Sequence, residues 1–159
     1  MALEIERKFL VRPEAWRAPA SGGTLHRQGY LSVDPARVVR VRRAGRRAWL
    51  TIKGPNRGIV RTEFEYPIPV PDADAMLETL CIGPVIEKTR YRIRYRGRLW
   101  EVDVFAGANA GLIVAEVELE SESAELTLPP WVGAEVSGDP RYYVANLVQH
   151  PFSEWGSGG

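Results

Sequence analysis

Between residues 3 and 120 the chain repeatedly places ionisable residues on every second position of strand-like stretches, and it sorts them by sign. Glu4, Glu6 and Lys8 come first, then Arg40 with Arg42, Thr51 with Lys53, and Glu63 with Glu65. Lys88, Arg90, Arg92 and Arg94 follow, then Glu101 with Asp103, and finally Glu116, Glu118 and Glu120. Successive side chains of a β-strand point to opposite faces, so each charged set shares one face while residues such as Ile5, Phe9, Phe64, Tyr66, Trp100 and Val102 share the other. A sheet with one wet face also alternates, but solvation does not require sorting by sign. A closed cavity with this lining repels itself patch by patch and costs stability unless ions fill it. Functional sites are where such a cost is tolerated.

The rest of the sequence sets the frame. Strands are expected at 24–32, 38–41, 48–53, 61–66, 85–95, 99–105 and 112–120, with hairpin turns at Ala44-Gly45 and Arg96-Gly97-Arg98. Pro13 predicts a helix start or a short helix over 12–16, Pro71 and Asp72 open a helix over 71–80, and 121–150 reads as helical pieces around Pro129-Pro130. Ser21-Gly22-Gly23 is read as a flexible turn and residues 151–159 as a mobile tail, leaving 1–150 as a single domain. This is an α+β chain with about eight antiparallel strands, enough to close into a barrel with charged faces inward and apolar faces outward under helices.

Composition removes several classes of function. The formal net charge of +1 over 159 residues gives no prior for a nucleic-acid or membrane partner. The run 42–47 reads as a solvated hairpin, and the five tryptophans as packing residues. A lone Cys81 excludes an intrachain disulfide framework, and its apolar setting suits a buried thiol. With no apolar run of transmembrane length and an N-terminus that turns acidic at Glu4, a cytoplasmic protein is expected.

Both signs of charge at close quarters suit polyphosphate handled with divalent cations. Arginine grips phosphate oxygens in a bidentate fork, lysine adds a point charge, and carboxylates hold Mg²⁺ or Mn²⁺. The sequence has neither a Walker-type loop nor a Cys/His zinc pattern, and His26 and His150, far apart in sequence, are read as ordinary residues.

Glu4-x-Glu6-x-Lys8, then Gln28-Gly29-Tyr30-Leu31, Arg40-x-Arg42, Thr51-x-Lys53, Glu63-x-Glu65, Glu87-Lys88-Thr89-Arg90, Glu101-x-Asp103 and Glu116-x-Glu118, together resemble the CYTH superfamily, the triphosphate tunnel metalloenzymes. The stretch from Gly133 through Asn146-Leu147 resembles the closing segment of its short bacterial members. The resemblance implies an eight-stranded antiparallel barrel whose tunnel binds a linear triphosphate. It implies phosphate contacts by Lys8, Arg40, Arg42, Lys53, Arg90 and Arg92, with Glu63 and Glu65 ordering the basic side chains. Metal, Mg or Mn, would fall to Glu4, Glu6, Asp103, Glu116 and Glu118. Lys88, also placed for phosphate, and Tyr30 match a catalytic pair of the short bacterial branch. The compact chain favours hydrolysis of inorganic tripolyphosphate, without nucleic-acid or membrane partners and with a homodimer left open. A class IV type adenylyl cyclase or a thiamine triphosphatase would use the same tunnel. A non-catalytic polyphosphate-binding module would need only its basic half.

Overall fold

The computed structural model describes residues 3–19 and 22–156. The expected turn at 21–23 and tail at 151–159 therefore fall partly outside the described residues. The chain forms β1 (Leu3–Val11), β2 (Thr24–Ser32), β3 (Val38–Ala44), β4 (Arg47–Lys53), β5 (Val60–Pro67), α1 (Val70–Thr79), β6 (Ile86–Tyr95), β7 (Arg98–Phe105), β8 (Ile113–Glu118), β9 (Val132–Glu135) and α2 (Val144–Leu147). Neighbours run in the order β5-β4-β3-β2-β6-β7-β8-β1, and β1 returns to β5, so eight antiparallel strands close into a barrel. The closing seam is short: Leu3, Glu4 and Ile5 face Thr62, Arg61 and Val60. Further along, β1 pairs with β9 at Phe9 and Val11.

The inner faces change character along the strands. Tyr30, Val38, Ile86, Phe105 and Val114 each lie two residues from a polar inner position, yet they gather with Leu112, Leu147 and Val148 into one apolar cluster. That cluster packs one end of the barrel against α2 and leaves the charges to line the rest. Outside, α1 covers Val41 and Ala48 with Ala73 and Leu77. The outer faces of β1, β7 and β8 are covered differently. Phe9, Trp100, Val102, Ala115 and Val117 pack under Trp16, Trp131 and Leu126, which come from irregular segments where helices were expected.

Gly29 shows why the outer covering fits. A Cβ there would collide with Cys81 Sγ and stand 3.2 Å from Leu77 Cδ2, so a glycine lets the end of α1 approach β2. Cys81 itself is only half-buried.

Other expectations are corrected. At 12–16 the backbone makes a single turn, in which Ala15 and Trp16 donate to the Arg12 carbonyl, and then straightens. A lone turn without further hydrogen bonds does not propagate. Within 121–150, read as helical, Val132–Glu135 is a strand, and β8 ends at Glu118, so Glu120 lies outside it and holds Arg98. Of the expected tail, Phe152–Glu154 form a turn of 3₁₀ helix. The Phe152 N–H donates to Asn109 Oδ1, and the Trp155 ring packs on Tyr142 and Phe152. Among the described residues no helix is long and apolar enough to cross a membrane.

Candidate active site

Strand register assembles the acidic side of the tunnel. Glu6 stands opposite Glu118 across β1 and β8, and Glu4 is two residues earlier on the same face. Each of the three offers a carboxylate oxygen within 4.8 Å of the others. Burial, with Glu116 and Glu4 beside it, pushes the Glu6 carboxyl well above the usual carboxylate range. Burial and then Glu4 raise Glu118 too. The next inward pair is Lys8 with Glu116, 3.6 Å apart. Burial opposes the charge on Glu116, but Lys8, Arg90 and Lys88 outweigh it and hold that carboxyl at about 2.

The basic side comes from β3, β4 and β6. Arg40 donates to Thr51 Oγ1 at 3.3 Å and to Glu65 at 3.4 Å, while Thr51 donates to the same carboxylate at 2.7 Å. Arg42 lies 3.7 Å from Glu65 with its guanidinium over the Trp49 ring, and burial followed by Arg40 and Arg90 lowers it to about 10. The Nε atoms of both arginines are buried without a hydrogen-bond partner among the described residues. Lys53 bridges Glu4 at 3.1 Å and Glu63 at 3.2 Å. Burial and the contact with Glu4 raise Glu63 to about 7.

Asp103 stands apart from the acidic trio. It is 1% exposed, and Arg90 grips both its oxygens at 2.8 and 2.9 Å while Lys88 Nζ lies 2.8 Å from Oδ2. Against the cost of burial, these two cations keep its carboxyl far below the usual range. Lys88 is pulled the other way: burial outweighs the shared carboxylate, Arg90 adds repulsion, and the amine falls to about 8. An amine poised there can hold or release a proton near neutral pH.

A cavity of about 280 Å³ brings together Glu4, Glu6, Lys8, Tyr30, Arg40, Lys53, Lys88, Arg90 and Glu116. Arg42, Glu63, Glu65, Asp103 and Glu118 lie on barrel strands outside that lining. Arg92 has the inward phase but is 67% exposed at the rim, beside Glu101 at 3.5 Å. Arg61 and Ser137 also line the cavity, and the sequence reading had not placed them in the site. Arg61 Nε and Nη2 both donate to the Gly54 carbonyl, at 3.0 and 2.9 Å. Its signal was present, since it shares the phase of Glu63 and Glu65. His26, read as ordinary, is buried on the inner face of β2 opposite Lys88.

The trio of Glu4, Glu6 and Glu118 fits a hard divalent cation. All its donors are carboxylate oxygens, and its mutual repulsion is relieved by positive charge.

Comparison with known proteins agrees with this geometry. A CYTH domain profile matches residues 2–143. An inorganic triphosphatase of Acetivibrio thermocellus is 48% identical over 98% of this chain and 99% of its own. Another from Nitrosomonas europaea is 41% identical over 87% of this chain and 92% of its own. A crystal structure of an inorganic triphosphatase, 37% identical, superposes with a TM-score of 0.65 over 93% of this chain and 95% of that one. A putative adenylate cyclase from Bacillus halodurans, 19% identical over 77% and 84% of the two chains, shares the fold with a TM-score of 0.62. With the tunnel, its sorted lining and these relatives together, the chain belongs to the CYTH domain family.

Proposed function

We propose that this protein hydrolyses inorganic tripolyphosphate to pyrophosphate and phosphate, using Mg²⁺ or Mn²⁺, inside the barrel. The observation that carries the reading is the closed barrel in which Glu4, Glu6 and Glu116 share one cavity with Lys8, Arg40, Lys53, Lys88 and Arg90. The activity named for the two relatives at 48% and 41% identity supports it.

Arg40, Arg42 and Arg90 bind the phosphate oxygens, with Lys53 and Lys8 as point charges and Arg61 as a further donor. Glu65 and Asp103 orient these cations by ion pairs already formed without substrate. Glu4, Glu6 and Glu118 would hold the divalent cation, with Glu116 close by. That cation, when bound, supplies neutralisation of phosphate oxygens and acidification of a bound water. Lys88, with its lowered pKa, accepts the proton of the attacking water when neutral. Tyr30 stands in the same lining as Lys88. Burial of Lys88 and Asp103 keeps bulk water from screening these charges.

The test is phosphate and pyrophosphate release from tripolyphosphate, ATP and thiamine triphosphate, with Mg²⁺, Mn²⁺ or chelator, for the wild type and Glu6→Ala. Metal-dependent orthophosphate release, fastest on tripolyphosphate and abolished in the variant, is the expected result. Pyrophosphate release from ATP would replace this reading with a cyclase, and tight binding without release would leave a binding module.

A further inference from the structure

Gln28 takes no part in the scheme above, yet it is fully buried on the inner face of β2, two residues from Tyr30. Its Nε2 donates to the Tyr30 hydroxyl oxygen at 3.0 Å, and its Oε1 is buried with no hydrogen-bond partner among the described residues. An apolar side chain of the same size would fill the position without stranding a carbonyl oxygen. The surroundings select the orientation of the amide. Gln28 stands opposite Arg42 in register, with His26 and its neighbour Lys88 one step along the face. A carbonyl oxygen is favoured on the side of the Arg42 guanidinium, which leaves the NH₂ group for Tyr30.

A phenol carries one hydrogen. Once its oxygen accepts from Gln28, that hydrogen points away from the amide. Tyr30 lines the cavity with Arg40 and Lys88. We infer that Gln28 is a positioning residue that occupies the acceptor side of the Tyr30 oxygen, so that the phenol O–H donates to a phosphate oxygen of bound tripolyphosphate. The inference rests on the triphosphatase reading and adds to it the device that fixes the polarity of Tyr30.

The test compares Gln28→Met and Gln28→Glu, each alone and combined with Tyr30→Phe, by kcat and KM on tripolyphosphate with Mg²⁺. Both variants preserve size. Gln28→Met should lower kcat about fivefold, the order carried by one neutral hydrogen bond, with KM within about twofold. Gln28→Glu should lose more, because a carboxylate accepts the phenol proton and reverses the bond. Both losses should vanish in the Tyr30→Phe background. An unchanged kcat in Gln28→Met, or the same fold-loss in both backgrounds, overturns the inference, the latter by revealing a merely structural role. Tyrosine ¹³Cζ resonances give a second reading. The Tyr30 signal, identified by its loss in Tyr30→Phe, should move in Gln28→Met while the other tyrosines stay, and an unmoved signal overturns the hydrogen bond. A wild type that releases no phosphate from tripolyphosphate overturns the functional reading instead, and the resonance shift still decides whether Gln28 directs Tyr30.

Discussion

Two carboxylates that look alike in the sequence have opposite physical situations. Asp103 is saturated by Arg90 and Lys88, whereas Glu6 sits among like charges. Removing a partner from a buried pair leaves uncompensated charge, so Asp103→Asn should cost about 3–5 kcal/mol and lower Tm by on the order of 10 °C. Glu6→Gln should keep or raise Tm while turnover is lost, because a repulsive charge has gone. Calorimetry of the two variants beside their activities checks this, and equal loss of stability would contradict the division of roles. His26 gives the acid dependence. Burial, then Arg90 and Lys88, hold its imidazole at about 3, below the ordinary 6.5. The unfolded chain therefore takes up a proton between pH 6.5 and 3 that the fold refuses, and stability falls as pH drops through that window. The slope approaches about 1.4 kcal/mol per pH unit. The wild-type urea midpoint should fall more steeply with acid than that of His26→Gln, and parallel curves would sink the argument. The alternation of residues told which face each side chain takes, but a period of two carries no information on depth. Arg92 has the right phase and lies at the rim, and Asp103 has the phase of a metal ligand and is occupied by cations.

At the scale of elements, strands with several charged inner positions were legible because every residue voted for the same period. Val132–Glu135 has four residues, a glycine among them, and gains its hydrogen bonds from β1, a partner distant in sequence. Nothing local announces such a strand. The 12–16 turn failed for the converse reason: a proline at the right place starts a turn, but Trp16 is drawn into the aromatic cluster with Tyr91 and Trp131 instead of extending a helix. The packing of α1 on β2 was equally silent in the sequence, where Gly29 stands only as one residue of the 24–32 strand. Gly29→Val should cost about 1–3 kcal/mol by forcing Cys81 and Leu77 outward. Gly138→Ala, where an added Cβ meets nothing within 4 Å among the described residues, should be neutral by comparison. Thermal unfolding of the pair decides, and equal midpoints would remove the steric account.

For the whole molecule, sorting by sign within each strand gave the barrel and its charged interior, and pairing between strands was hidden. The lining is less self-repelling than its strands in isolation, because Lys53 meets Glu4, Lys8 meets Glu116, and Arg40 and Arg42 meet Glu65. These pairs let the tunnel stay folded without substrate. A triphosphate and a cation arriving together would exchange partners with them: phosphate takes the arginines and lysines, and metal takes the carboxylates. The central claim is that this exchange happens inside the barrel. Anomalous diffraction from crystals grown with Mn²⁺ and a non-hydrolysable imidotriphosphate tests it most directly. Manganese bound by Glu4, Glu6 and Glu118, with phosphate oxygens on Arg40, Arg42 and Arg90, is the predicted result. Manganese and phosphate found only on the outer surface, with the interior ion pairs intact, would contradict it.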